Sequence, residues 1–306
     1  MHNIDALSSS IVLALGETVR STEFLVSGST SHAYKVTSDR AVYVLRTASP
    51  NVGKTASYEV DFALRTLLWE KQLPVAKPIA TNRSIDACTK VSWALDEYCE
   101  GSHPVRGNIP SCMSRQLGTL LRALHDVPIT GFGQLTLTNQ GLHGVASTCE
   151  AGLLMRLEAP WPVANVSLDT HPAIRVRPSL KSTLLPLQSD LLALVAGGKA
   201  AVVHSDLHEG QMLCGEHGLT ALLDFNDAVA SVKELDLGSY LYFHGKACLT
   251  DLLDAYANNV GERKELVRKA ELASILIALH HGNRGAVLAR PHRIDSCVRH
   301  LDTLSG

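Results

Sequence analysis

The sequence predicts an α+β fold of two lobes, an N-terminal antiparallel β-sheet lobe with one key helix over residues 1–98 and a mostly helical lobe over 99–306. Three observations carry this expectation. Strand-like segments separated by polar turns run from residue 23 to 46, a single stretch of helical period follows, and Gly101 with Pro104 interrupts the pattern before helical periodicity takes over.

Each element has its own signal. Ile4, Leu7, Ile11, Val12 and Leu15 share one face of a leading helix. Glu23–Ser27, Ala33–Thr37 and Ala41–Arg46 are rich in Val, Tyr and Leu and are joined by Gly-Ser-Thr-Ser and Ser-Asp-Arg turns, which predicts a meander. From Lys54 to Lys71 the period becomes 3.6, with Val60, Leu64, Leu67 and Leu68 apolar, and Leu73-Pro74 ends the helix. Ala76–Ala80 and Val91–Glu97 read as two further strands. Helices are expected at Ser111–His125, in a Pro-interrupted stretch from Glu150 to Ser179, at Leu184–Val195, and near Arg263–His281 and Arg293–Leu304. Ala200–His204, Gln211–Cys214 and Leu219–Leu223 predict one small sheet inside the helical lobe.

Composition narrows the function classes. Apolar residues make up 45% and charged residues 19%, enough for a packed interior, and the net charge of −2 carries no basic cluster for a nucleic acid. Cys88, Cys99, Cys112, Cys149, Cys214, Cys248 and Cys297 are scattered singly, without a CxxC pair, which fits reduced thiols in a cytoplasmic protein. No apolar run approaches the ~18 residues of a membrane span.

The chemistry concentrates in His204-Ser205-Asp206-Leu207-His208-Glu209-Gly210-Gln211, followed by Asp224-Phe225-Asn226. Both segments follow predicted strands. Phosphoryl transfer to an alcohol needs a carboxylate to orient the hydroxyl and take its proton, and oxygen ligands for magnesium on the nucleotide phosphates. Asp206 suits the first role, Gln211 and Asp224 the second, if the two loops converge. His204, Asp206 and His208 as metal ligands of a hydrolase are the competing reading.

His-x-Asp-x4-Gln with a following Asp-Phe resembles the aminoglycoside phosphotransferase family, itself similar to protein kinases, and the resemblance covers nearly the whole chain. It implies a protein-kinase-like fold, ATP (or GTP) and Mg2+ as cofactors, and a small-molecule hydroxyl acceptor, with an antibiotic expected first. It also implies that Arg46, on the third strand, grips the nucleotide phosphates and pairs with Glu59 on the next helix. The turn with Ser29, Thr30 and Ser31 corresponds to the loop over the phosphates, and Glu97 and Cys99 to the hinge that meets adenine. Gln211 replaces the usual Asn and Arg46 the usual Lys, so a nucleotide-binding pseudokinase is an alternative, as is a metabolite kinase of the same chemistry. Asp236 resembles the family's loop-bracing Asp, with a helix cap as the competing role.

The acceptor is expected to meet residues 150–179 and the C-terminal helices. That region mixes Glu150, Glu158 and Asp169 with Arg156, Arg175, Arg177 and Lys181, and with an apolar set around Trp161.

Overall fold

The computed structural model describes residues 3–28, 31–49, 58–85 and 91–304. The chain divides into two compact units, Met1–Ser102 with Leu213–Asn226, and His103–Met212 with Asp227–Gly306.

The first unit begins with helix α1 (Ile4–Ala14), capped by the Asn3 side chain, which accepts from the Ala6 amide. Strands β1 (Val19–Ser27), β2 (Ser31–Ser38) and β3 (Val42–Ala48) form the expected meander. Helix α2 (Tyr58–Glu70) follows, then β4 (Pro78–Thr81) and β5 (Trp93–Glu97), giving an antiparallel sheet of order β1-β2-β3-β5-β4. The period of two decides what each face carries. In β3, Tyr43 and Leu45 join Trp93 and Leu95 of β5 in a core closed by Leu7, Ile11 and Val12 of α1. Arg46 and Asp96, of opposite parity, therefore share the other face.

The second unit is built around helices. Its elements in chain order are α3 (Ser111–His125), the hairpin β6 (Phe132–Thr138) and β7 (Gly141–Ala146), α4 (Cys149–Arg156), α5 (Pro172–Val176), α6 (Leu180–Leu184), α7 (Gln188–Ala196) and β8 (Ala201–Val203). After the hairpin of β9 (Met212–Gly215) and β10 (Gly218–Leu222) come β11 (Val229–Ser231), α8 (Glu234–Tyr256), α9 (Val260–Val287) and α10 (Pro291–Thr303). Gly245, at φ 83°, interrupts the helical backbone of α8.

The three segments expected to make one small sheet separate. Strand β8 joins an antiparallel sheet of order β7-β6-β11-β8, whereas β9 and β10 form a separate two-stranded sheet. Most of that hairpin belongs to the first unit because its edges are bonded there. Leu222 N donates to Pro74 O at 2.8 Å, and Ser102 and Cys214 exchange backbone bonds at 3.0 and 2.8 Å. The reason lies in the fully buried β8, whose single neighbour β11 comes from beyond the hairpin.

Glycines let the helices of the second unit cross closely. A Cβ at Gly118 of α3 would meet Leu252 O of α8 at 2.3 Å, and one at Gly238 of α8 would meet the backbone of Ala273 and Ser274 in α9 at 2.6 Å. Gly118→Ala is therefore expected to destabilise the protein by about 1–3 kcal/mol through overpacking. Urea denaturation would check it; an unchanged midpoint would mean that the α3–α8 crossing yields freely.

Candidate active site

Strand β8 is buried throughout and delivers the chain to His204, also fully buried. Ser205 then adopts φ 69°, a left-handed conformation that a residue with a Cβ disfavours. Asp236 holds it there. Its Oδ2 accepts from His204 N at 2.8 Å and its Oδ1 from Ser205 N at 2.7 Å. The competing role of Asp236 as a helix cap is not realised, since the N-cap of α8 is Lys233 and makes no side-chain cap bond.

Further side chains complete the brace. His125 Nε2 donates to Asp236 Oδ2 at 3.0 Å, and the Tyr256 hydroxyl donates to His125 Nδ1 at 2.7 Å when that ring is neutral. Ser239 Oγ accepts from Leu207 N at 3.1 Å, and His244 Nε2 donates to Leu207 O at 2.9 Å. Asp236, Ser239 and His244 all lie on α8, so one helix fixes the backbone on both sides of Asp206. Asp206 itself is half-exposed, with His208 Nε2 at 3.8 Å from its Oδ2. His208 Nδ1 accepts from Gly210 N at 2.9 Å and opens the 3-10 turn that carries Gln211.

In the first unit the cation Arg46 is gripped, but not by Glu59. Arg46 Nε donates to Asp96 Oδ2 at 2.8 Å, and its Nη2 bonds to Asp61. Arg65 closes the square, its Nη2 lying 2.6 Å from both Asp61 Oδ2 and Asp96 Oδ1. The expected Arg46–Glu59 pair fails for a geometric reason. At about 100° per residue, positions 59 and 61 point to opposite sides of α2, while 61 and 65 lie together. The inward place falls to Asp61, fully buried, and Glu59 instead meets the exposed Arg83 at 3.2 Å.

Burial alone would raise the Asp61 pKa, but the Arg46 and Arg65 charges hold it well below the carboxylate range. For Arg46, burial acts to lower the pKa and the Asp61 and Asp96 charges overcome it. Both groups stay charged. The Asp224 charge also acts on Arg46, and Phe225 N donates to Asp61 Oδ1 at 3.2 Å. Asp61 thus ties Arg46 to the segment that holds Asp224. Asp224 has φ 58° and accepts from Asn226 Nδ2 at 3.1 Å.

Ser31 opens β2 opposite Ala48, and its carbonyl accepts from Gly28 N at 2.8 Å. Ser29 and Thr30 lie outside the described residues. Glu97 ends β5 with its amide bonded to Lys77 O, and burial pushes the Cys99 thiol up to about 11. Asp61, Asp96, Arg65, Ser239, His244 and His125 were not singled out from sequence. Asp61-x3-Arg65 was a usable signal, an opposite-charge i,i+4 pair inside an apolar helical stretch.

The model of the phosphotransferase enzyme family matches residues 21–266. The chain belongs to this family. It is a phosphotransferase, and its fold is the two-lobe, protein-kinase-like α+β arrangement. A crystal structure of aminoglycoside phosphotransferase APH(4)-Ia superposes with a TM-score of 0.67 at 14% identity, over 99% of this chain and 98% of that one. A GDP complex of aminoglycoside 2'-phosphotransferase-IIIa gives 0.62 at 14% identity, over 100% and 99%. A thermostable APH(4)-Ia mutant in ternary complex with AMP-PNP and hygromycin B gives 0.64 at 15% identity, over 94% of each chain. No curated protein matches the sequence.

One buried histidine, His244, and three half-buried ones, His280, His281 and His300, lower the stability of this phosphotransferase in acid. Burial lowers the pKa of His244 to about 4, of His300 to about 4, of His281 to about 3 and of His280 to about 2. An unfolded histidine takes up a proton near 6.5 whereas these folded rings do not, so the unfolded chain binds more protons as pH falls. Stability is therefore expected to be level above about pH 7 and to decline from about 6.5 downward, each such ring contributing up to ~1.4 kcal/mol per pH unit. Urea midpoints at pH 7.5, 6.0 and 5.0 would show this, and His244→Gln should flatten part of the slope. A profile flat to pH 5 would contradict neutral burial.

Proposed function

We propose that this phosphotransferase moves the γ-phosphoryl group of a magnesium-bound nucleotide, ATP or GTP, to a hydroxyl of a small molecule. The observation that supports it most is the strained, Asp236-braced loop that presents Asp206, in a chain whose family is the phosphotransferases.

In this reading Asp206 accepts a hydrogen bond from the acceptor hydroxyl and takes its proton as the oxygen bonds to the γ-phosphorus. The bond from that phosphorus to the bridging oxygen breaks, and the nucleoside diphosphate leaves. A carboxylate fixed by its backbone loses little freedom on doing so. Arg46, oriented by Asp61 and Asp96, presents positive charge to the phosphates. Ser31 is assigned to the phosphates together with Ser29 and Thr30, which lie outside the described residues, and Glu97 and Cys99 offer backbone groups to the base. Gln211 and Asp224 are hard oxygen donors, one amide carbonyl and one carboxylate, the donor type that suits magnesium. The ion, when bound, neutralises charge on the phosphate oxygens. Glu59 has no part in orienting Arg46 in this scheme.

Solved structures of similar fold hold AMP-PNP, ADP, GDP, hygromycin B and kanamycin. They support a nucleotide donor and a hydroxylated small-molecule acceptor. The acceptor proposed first is an antibiotic, inactivated in the cytoplasm by phosphorylation; a metabolite is the second reading, favoured by the arginines near Asp206, Arg156 and Arg293.

Asp206→Asn should lower turnover by about 10²–10⁴-fold while leaving nucleotide binding intact, whereas Asp224→Ala should weaken metal-dependent nucleotide binding. Steady-state rates beside calorimetric titration of AMP-PNP with and without Mg2+ separate the two effects. Wild-type turnover in Asp206→Asn would remove that carboxylate from the role of base.

A further inference from the structure

Within the second unit, Arg156 and Arg293 bring positive charge to the Asp206 loop, in a neighbourhood that also holds Glu158, Glu209 and Asp227. Arg156, the last residue of α4, donates from Nε to Ser205 Oγ at 2.9 Å, one residue before the base. Ser205 Oγ in turn donates to Asp227 O at 3.0 Å, so a neutral hydroxyl and not a carboxylate steers the guanidinium. On α9, His280 and His281 adjoin this point, and Arg284 stands one turn further on. His280 Nδ1 accepts from Glu158 N at 2.8 Å, and His281 stacks on Tyr242 with ring centres 5.1 Å apart. Arg293 of α10 packs against Gly285, where an added Cβ would come within 2.9 Å of the Arg293 Cβ.

The balance of charge is unequal. Among the described residues neither Arg156 nor Arg293 forms a carboxylate ion pair. Arg284 has one, to Glu158 at 3.5 Å, long for a charge-assisted bond. The strongest charges acting on both His280 and His281 include Arg156 and Arg293, and the Asp206 carboxylate is the largest negative influence on Arg293. Burial and Arg290 still lower the Arg293 pKa, as expected for a cation short of counter-charge. All three arginines are half-buried, so each keeps part of its surface for a ligand.

We propose that the acceptor is an alcohol bearing an anionic group, a carboxylate or a phosphate, and that Arg156, Arg284 and Arg293 bind that group beside Asp206. A guanidinium fork matches either anion bidentately, and partial burial strengthens the attraction. The same cluster repels a polycation, so the site selects against acceptors such as kanamycin by like charge. This inference rests on the phosphotransferase reading and narrows its acceptor class.

The test is calorimetric titration of the full chain with malate, glycerol 2-phosphate, glycerol and kanamycin, each in the presence of saturating AMP-PNP and Mg2+. Malate or glycerol 2-phosphate should bind at least tenfold more tightly than glycerol or kanamycin, and the tighter of the two identifies the anion. Arg293→Gln should weaken that binding by about tenfold or more, and Arg293→Lys should recover part of it. Because Arg156 also contacts the Ser205 loop, Arg156→Gln is read only beside a circular dichroism spectrum matching wild type. Kanamycin binding more tightly than both anions, no anion binding, or anion binding indifferent to Arg293→Gln would overturn the proposal. Titration of AMP-PNP alone reports on the parent reading: nucleotide binding without anion binding sinks only the anionic acceptor, and absent nucleotide binding sinks the phosphotransferase mechanism.

Discussion

One buried carboxylate holds the loop that leads to Asp206 in shape. Asp236 accepts from the amides of His204 and Ser205 and from His125, so three donors converge on a side chain with no access to water. A left-handed serine costs of order 1–3 kcal/mol, and two charge-assisted bonds to backbone amides offset a cost of that size. Since Asp206 follows immediately, its direction depends on this bond pair. The tyrosine behind His125 extends the same logic, because burial raises the Tyr256 phenol pKa and keeps the hydroxyl a neutral donor.

The first unit uses the opposite arrangement, charge against charge. Two arginines and two aspartates form a closed square in which Asp61 and Asp96 each meet both guanidinium groups. Removing one member would leave a buried charge uncompensated, at about 3–5 kcal/mol, whereas the exposed Glu59–Arg83 pair contributes at most about 1 kcal/mol. The square does more than stabilise. Through Phe225 N, Asp61 also fixes the start of the segment that carries Asp224.

Much of this was legible in the sequence because short-range patterning governs it. The meander, α2 and α3 follow from periods of 2 and 3.6, and strand parity alone places Arg46 and Asp96 on one face. The Glu59 pairing went astray because motif order ignores helical phase, a matter of 200° between positions 59 and 61. The β6–β7 hairpin escaped notice, its Gly-rich, polar strands carrying weak β signals. The separation of β8 from β9 and β10 was hidden for another reason: it depends on pairing with β11, across a sequence gap that local pattern does not register. Ser239 and His244 gain their roles only once α8 is laid along the loop, which no spacing in the sequence announces.

The fold is shared with enzymes at 14% identity, so function must be argued from the site and not from the scaffold. The claim most exposed to test is that Asp236 acts by shaping the loop under Asp206. Asp236→Asn keeps the side chain's size but turns one acceptor oxygen into a donor, opposed to an amide that also donates. Steady-state kinetics of this variant, beside AMP-PNP titration and a urea curve, measure the claim directly. Turnover is expected to fall at least tenfold with nucleotide affinity unchanged and the protein still folded at the assay temperature. Wild-type turnover in the folded variant would contradict it.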